Sequence, residues 1–195
     1  METEVFIRSD RLFLRPAWPE DLQELETLIA HDSAACNLAS TCWPCAHDDA
    51  LRFVTHEQAH ALPQFVITVP GADGALIVGC VGLARRDDDV ELYYWIAREQ
   101  RGRGYAREAV KAVVELAWSL GHARIVANHF VDSPASGRVL HGAGFRRTGR
   151  VAERYSAVHK RVFPAREYVL APAGSGGFDD EMNGLAANED QKCAA

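Results

Sequence analysis

The residues best suited to chemistry lie together in one stretch, residues 91–109. The pattern is typical of a strand rich in aromatic side chains, a short loop containing Gly102 and Gly104, and the start of a helix. Glycines let a backbone approach a ligand closely, and the first turn of a helix offers N–H groups without intrahelical partners. With Arg101 and Arg103 in the same loop, this stretch predicts a cradle for phosphate groups.

Hydrophobic periodicity and turn residues predict the elements that must position this loop. The predicted strands are 11–15, 65–69, 75–83, 90–96 and 125–127, with two more within 145–170. The predicted helices are those opened by Pro19, Tyr105 and Pro134, and one capped by Asp48 or Asp49 that runs to about Ala61. Beyond residue 170 the chain becomes rich in Ala, Gly and acids. We therefore expect one domain over 1–170 and a flexible acidic tail over 171–195.

Charge is unevenly distributed along the 195 residues. Residues 1–97 hold 16 acidic and 6 basic side chains, whereas residues 98–170 hold 14 basic and 6 acidic ones. A basic half inside an acidic protein favours a local anion site over a nucleic-acid surface, and the acidic half favours a cationic partner. No stretch of about 20 apolar residues is present, so neither a membrane span nor a membrane partner is expected. Five irregularly spaced cysteines are typical of a reducing, cytoplasmic location.

Three segments, in order along the chain, resemble the GNAT N-acetyltransferase superfamily. Residues 101–106 (RGRGYA) resemble its acetyl-CoA motif, R/Q-x-x-G-x-G/A, and residues 132–145 resemble its downstream N-x-x-S…L-x-x-x-G-F segment. Residues 11–16 (RLFLRP), followed by an acidic helix, resemble the RimJ/RimL-type branch, which acetylates protein N-termini and other amines. The resemblance covers about residues 8–170. It implies an α/β (α+β) fold whose mainly antiparallel sheet has about seven strands and helices on both faces.

The resemblance also implies a set of residues for binding acetyl-CoA. These residues are Tyr94, Trp95, Ile96, Arg101, Gly102, Arg103, Gly104, Tyr105, Ala106 and Ser133. The main chain of residues 94–96 would bind the pantetheine arm, and one of its N–H groups would face the developing oxyanion. Ser133 stands where the family often has Asn, and Leu140 stands where many members carry a tyrosine acid, which the RimJ/RimL-type branch also commonly lacks.

Two residues are candidates for proton transfer. Glu91 is expected to accept the proton of the attacking amine, directly or through water, with a solvated glutamate at a sheet edge as the alternative. Ser136 is expected to protonate the departing thiolate, with a helix cap near Pro134 as the alternative. A thiolate whose pKa is near 8.5 is a tolerable leaving group even without an acid.

Cysteines suggest a competing chemistry at residues 42–45 (CWPC). This C-x-x-C has Cys36, His31 and His47 nearby, which would suit a redox motif or a zinc site. Two features oppose these readings: the sequence lacks the strand-to-helix turn of a thioredoxin motif, and a second closely spaced ligand pair is missing. We expect a plain loop near the acceptor cleft and no metal.

The sequence as a whole predicts an enzyme that transfers an acetyl group from acetyl-CoA to a primary amine, by direct attack on the thioester. The acceptor class is a protein N-terminal α-amine or a small-molecule amine, and a homodimer is left open. An acyl-CoA-binding module without turnover is the alternative, favoured by Ser133 and the missing tyrosine. A redox or zinc protein comes third.

Overall fold

The computed structural model describes residues 5–30, 32, 47–55, 59–72, 74–156 and 159–172. Within them the chain forms eight strands and four α-helices. The strands are β1 (Ile7–Arg8), β2 (Phe13–Arg15), β3 (Gln64–Gly71), β4 (Gly74–Arg86), β5 (Asp89–Ile96), β6 (Ile125–Phe130), β7 (Arg146–Ser156) and β8 (Arg161–Leu170). The helices are α1 (Leu22–Ala30), α2 (His47–Thr55), α3 (Tyr105–Ser119) and α4 (Pro134–Gly142). Among the described residues, no helix is both long and apolar enough to cross a membrane.

All eight strands form one sheet in the order β1-β2-β3-β4-β5-β6-β8-β7. Neighbouring strands are antiparallel except for β5 and β6, which are parallel. The mainly antiparallel α/β architecture predicted from the sequence is therefore confirmed, with eight strands where about seven were expected. The additional strand, β1, has only two residues, too few to produce the alternation from which strands are predicted.

Helices cover both faces of the sheet, as predicted. On one face, α3 and α4 pack through residues such as Val110, Val113 and Leu140 onto Leu92 of β5. On the other face, α1 and α2 pack onto alternate residues of the same strand, Tyr93 and Trp95. Because strand side chains alternate between faces, β5 contributes to both cores and separates them. The two faces are called the α3/α4 face and the α1/α2 face below.

The arginine at the end of the RLFLR segment forms a buried ion pair. Arg15 donates through Nη1 and Nη2 to the two carboxylate oxygens of Asp21, at 2.7 and 2.8 Å, and its guanidinium lies over the ring of Trp18. Asp21 also accepts the main-chain N–H of Trp18 at 2.7 Å. Both charged residues are less than 10% exposed. The pair fixes the angle at which the chain leaves β2 and enters α1.

The other arginine of that segment connects the N-terminal arm to α3. The Glu108 carboxylate accepts hydrogen bonds from the Ser9 hydroxyl and from the main-chain N–H and Nε of Arg11, at 2.7 to 2.8 Å. Arg11 also donates through Nη1 to the carbonyl of Arg103, in the loop before α3. Burial alone raises the pKa of Glu108, but these hydrogen bonds and the charge of Arg11 outweigh it, and the net pKa is lowered.

Breaking the Arg15–Asp21 pair should strongly destabilise the fold. We expect Asp21→Ala to lower the free energy of unfolding by about 3–5 kcal/mol, because it leaves the Arg15 guanidinium buried without its anion. Urea denaturation would measure the change, with Asp88→Ala in an exposed turn as the control. The double variant Arg15→Met, Asp21→Leu should lose less than the single variant. A single variant as stable as the control would contradict this role.

The lowered pKa of Glu108 makes its contribution to stability dependent on pH. A carboxyl group whose pKa is lower in the folded state stabilises the fold above its unfolded-state pKa and loses that effect as pH falls through the folded-state pKa. The difference in unfolding free energy between the protein and Glu108→Gln should therefore be largest near neutral pH and shrink in acid. A difference that stays constant from pH 7 to pH 3 would show that the charge is not involved.

Candidate active site

A cleft of about 420 Å³ opens where β5 and β6 separate. Only three pairs of residues join them in parallel, and the last of these pairs is Leu92 with Ala127. Both strands continue beyond this point, β5 to Ile96 and β6 to Phe130, so their carboxyl ends diverge and leave an opening through the sheet. The cleft is lined by both strands, by the loop after β5 and by the first turns of α3 and α4.

The glycine loop has the conformation that the sequence predicts. Gly102 and Gly104 have φ of +77° and +83°, in the left-handed region that favours glycine. Gly104 is the residue before α3, and the first turn of this helix, whose N–H groups lack intrahelical partners, lines the cleft. A Cβ at Gly104 would stand 3.3 Å from Nη2 of Arg11, the arginine that holds this loop to the N-terminal arm. Tyr105 and Ala106 follow in the first turn and line the cleft.

Arg101 has two hydrogen-bonding partners within the protein. Its guanidinium forms an ion pair with the buried carboxylate of Asp32, and its Nε donates to the carbonyl of Ile96 at 2.9 Å. The side chain of Arg101 is 42% exposed and lines the cleft, so some of its donors remain accessible. Arg103 is exposed in the same loop, and Arg107 and Arg138 lie at the mouth of the cleft. These last two arginines belong to the basic half of the chain but were not singled out from the sequence.

Glu91 lies at the point where the two strands separate. Its side chain is on the α1/α2 face, with a relative exposure of 5%, on the fifth of eight strands. The alternative that Glu91 is a solvated glutamate at a sheet edge is therefore wrong. The carboxylate accepts a hydrogen bond from Nδ2 of Asn128 at 2.8 Å, and Nη1 of Arg86 lies 3.8 Å from the same oxygen. Asn128 lines the cleft and holds Glu91 in place, a role that its sequence neighbourhood did not reveal.

Hydroxyl groups meet at the first turn of α4. Ser133 and Ser136 share a hydrogen bond between their hydroxyls at 2.9 Å, and the Tyr94 hydroxyl donates to the carbonyl of Ser136 at 2.9 Å. The residue that precedes the helix is Ser133, not Ser136, so the alternative that Ser136 caps this helix is wrong. Burial raises the pKa of Tyr94 far above its ordinary value, so the phenol stays protonated. The three residues of this cluster line one part of the cleft.

A buried histidine supports α4 from beneath. His129 lies so close to the helix that a Cβ at Gly137 would stand 2.8 Å from its Nε2. Nδ1 lies 2.8 Å from the carbonyl of Phe130, which indicates that Nδ1 carries the proton and that Nε2 accepts from the Tyr168 hydroxyl at 3.2 Å. Burial lowers the pKa of His129, so the ring is neutral at physiological pH. His129 thus has a packing role next to the cleft, and no motif in the sequence marks it.

The cysteine motif falls in a part of the chain that the structure does not describe. Residues 31, 33–46 and the side chain of His47 lie outside the described residues, and with them Cys36, Cys42, Cys45 and His31. Within the described residues, no group of three or more His, Cys, Asp or Glu side chains could hold a metal ion. Cys80 is fully buried, and burial raises the pKa of its thiol. The expected tail, residues 171–195, also lies outside the described residues from residue 173 onward.

Solved structures share this fold at low sequence identity. An acetyltransferase of the GNAT family from Bacillus anthracis superposes with a TM-score of 0.70 at 19% identity, covering 86% of this chain and 98% of that one. RimL, a ribosomal L7/L12 α-N-protein acetyltransferase in complex with coenzyme A, gives 0.70 at 17%, covering 86% and 98%. A spermidine N-acetyltransferase from Vibrio cholerae in complex with CoA and spermine gives 0.67 at 20%, covering 84% and 96%.

Sequence comparison identifies the family. No curated protein sequence is similar enough to this chain to count as a relative. The model of the acetyltransferase (GNAT) domain, in contrast, matches residues 11–146, more than two thirds of the chain. This match begins at the arginine of the N-terminal arm, includes Glu91 and the glycine loop, and ends just after α4. The chain therefore belongs to the GNAT family of acetyltransferases, which use acetyl-CoA as the acetyl donor.

Proposed function

We propose that the protein transfers the acetyl group of acetyl-CoA to a primary amine, with Glu91 accepting the proton of that amine. The observation that supports this most strongly is the position of Glu91 at the point where β5 and β6 separate. Its carboxylate is held by Asn128 and borders the same cleft as the glycine loop. Donor and acceptor would thus meet in one opening through the sheet.

The residues present fit acetyl-CoA. The left-handed glycines and the start of α3 form an anion site, and Arg107 and Arg138 add positive charge at its rim. The segment 94–96 of β5 extends past the last residue that pairs with β6, so main-chain groups on that side, apart from the Ile96 carbonyl that Arg101 engages, can bind the pantetheine amides. An N–H of this segment facing the carbonyl oxygen of the acetyl group would stabilise the charge that develops there.

The two faces of the sheet would hold the two substrates. The glycine loop leads into α3, whereas the Glu91 carboxylate lies on the opposite, α1/α2 face. The amine would therefore approach from the α1/α2 face and lose its proton to Glu91 as the new amide bond forms. On the α3/α4 face, Ser136, in the first turn of α4, would protonate the departing thiolate.

The acceptor is proposed to be a protein N-terminal α-amine or a small-molecule amine, as in the RimJ/RimL-type branch. The structural neighbours include proteins named for either kind of acceptor. The acidic charge of residues 1–97 is weak support for a cationic acceptor, because several of these acids have arginine partners. Those pairs are Asp21 with Arg15, Asp32 with Arg101, Asp89 with Arg124 and Glu91 with Arg86.

A single pair of measurements separates this function from that of a binding module without turnover. Calorimetry would measure acetyl-CoA binding, and release of free thiol would be followed over a panel of N-terminal peptides, polyamines and aminoglycosides. We expect binding, and thiol release with at least one class of amine. Binding with no release from any amine would favour the module instead.

Gly104→Glu should abolish acetyl-CoA binding. The substitution places a side chain and a negative charge at the phosphate cradle, at a backbone conformation that strains any non-glycine residue. Gly121→Glu is the matched control, because Gly121 has a similar φ of +87° but lies at the far end of α3 with open space around its Cβ. The control should keep its affinity in calorimetry. Equal affinities of the two folded variants would contradict the cradle.

Glu91→Gln should lower turnover by about 10²- to 10⁴-fold, because an amide cannot take the amine proton. Acetyl-CoA affinity should stay unchanged, since Glu91 is on the face opposite α3 and α4. Thiol release across a range of pH would measure the effect, with the exposed Glu153→Gln as the control. Near-normal turnover of Glu91→Gln at every pH would remove Glu91 from the mechanism.

A further inference from the structure

One buried carboxylate links the two sides of the cleft. Asp32 follows α1 by two residues and is 5% exposed. Its Oδ2 receives the guanidinium of Arg101, from the cofactor loop, and the indole N–H of Trp95, from β5, the latter at 3.1 Å. Asp32 therefore connects the end of α1, the wall of the cleft and the loop that leads into α3.

The two partners of Asp32 belong to different parts of the proposed reaction. Trp95 is 4% exposed and borders the cleft on the α1/α2 face, where the amine is proposed to approach. Arg101 begins the glycine loop on which acetyl-CoA is proposed to bind. The Nε of Arg101 also donates to the carbonyl of Ile96, so the guanidinium bridges the end of β5 and the end of α1. This bridge depends on the planar guanidinium of Arg101, whose donors point in fixed directions, and on the buried carboxylate of Asp32.

We propose that Asp32 is a positioning residue of the transfer site, and that Arg101 acts mainly through Asp32 rather than as a phosphate ligand. Asp32 fixes the position of Trp95, in the wall that would receive the amine, relative to Arg101, in the loop that would receive acetyl-CoA. The proposal rests on the acetyl-transfer function proposed above. It requires Asp32 and Arg101 to act as one unit, because removal of either partner breaks the same bridge.

The two possible roles of Arg101, as a phosphate ligand or as a bridge to Asp32, predict different effects of changing Asp32 on acetyl-CoA binding. If Arg101 mainly binds phosphate, Asp32 competes for its guanidinium, so Asp32→Asn should tighten acetyl-CoA binding while Arg101→Gln weakens it. If Arg101 mainly forms the bridge, the two variants should behave alike. Both should change the dissociation constant of acetyl-CoA by less than about threefold and raise the KM of the amine by about tenfold, the effect of losing one charged hydrogen bond.

The experiment uses the full chain with four variants: Asp32→Asn, Arg101→Gln, the double variant, and the exposed Asp88→Asn as the charge control. Calorimetry gives the affinity for acetyl-CoA, thiol release gives KM and kcat for the amine most active in the panel, and thermal melting shows that each variant is folded. The double variant should match the single ones, because partners in one bridge are not additive. Trp95→Phe, which keeps the apolar ring but removes the N–H donor, should raise the KM of the amine by a smaller factor.

Several outcomes would overturn the proposal. Opposite effects of Asp32→Asn and Arg101→Gln on acetyl-CoA affinity would make Arg101 a phosphate ligand. A double variant whose effects add would make the two residues independent. Variants with lower melting temperatures but unchanged KM values would make the bridge purely structural. If the protein itself transfers acetyl to no amine, the proposed function fails, and the acetyl-CoA affinities of the two single variants still decide how Arg101 acts.

Discussion

The limited pairing of β5 with β6 is the constraint on which the rest of the site depends. In a regular sheet, the main-chain groups of residues 94–96 would bond to the neighbouring strand. Here the parallel pairing ends at Leu92 with Ala127, and both strands continue apart. The separation exposes main-chain groups in the middle of a sheet whose faces are otherwise covered by helices. Under the proposed function, this backbone geometry would form the binding site for an amide-containing chain, which would explain why so few side chains need to be specified.

The edges of this opening are held by charged groups in local pairs. Asn128 and Arg86 fix Glu91 at the closed end, whereas Arg101 with Asp32 and Arg11 with Glu108 fix the loop at the open end. Except for Arg86 and Glu91, which lie on two consecutive strands, the partners are far apart in sequence, as in the case of Arg11 and Glu108. The charge imbalance between the two halves of the chain therefore reflects contacts between them as well as any ligand. A net charge counted along the sequence cannot separate these two causes.

The parts of the fold that sequence could predict are those determined by local patterns. The glycine loop before α3, the hairpin of β3 and β4, and the inward stripe of α3 each follow from residues within one element. The position of Glu91 could not be predicted, because burial depends on the order of strands, and β6 is separated from β5 by a whole helix. The partners Asn128 and Asp32 were missed for the same reason, since a side-chain contact between distant elements leaves no local pattern.

The structure explains why position 140 carries a leucine and not the tyrosine found in many GNAT proteins. Leu140 is completely buried in the core between α4 and the sheet, so this helix uses the position for packing. The polar groups on α4 are instead at its first turn, where Ser133, Ser136 and the Tyr94 hydroxyl meet. The start of a helix favours negative charge, and a thiolate is already a tolerable leaving group near neutral pH. A sulfur leaving toward the start of α4 would be stabilised by the helix as well as by a hydroxyl, so the chemistry does not require a dedicated acid at position 140.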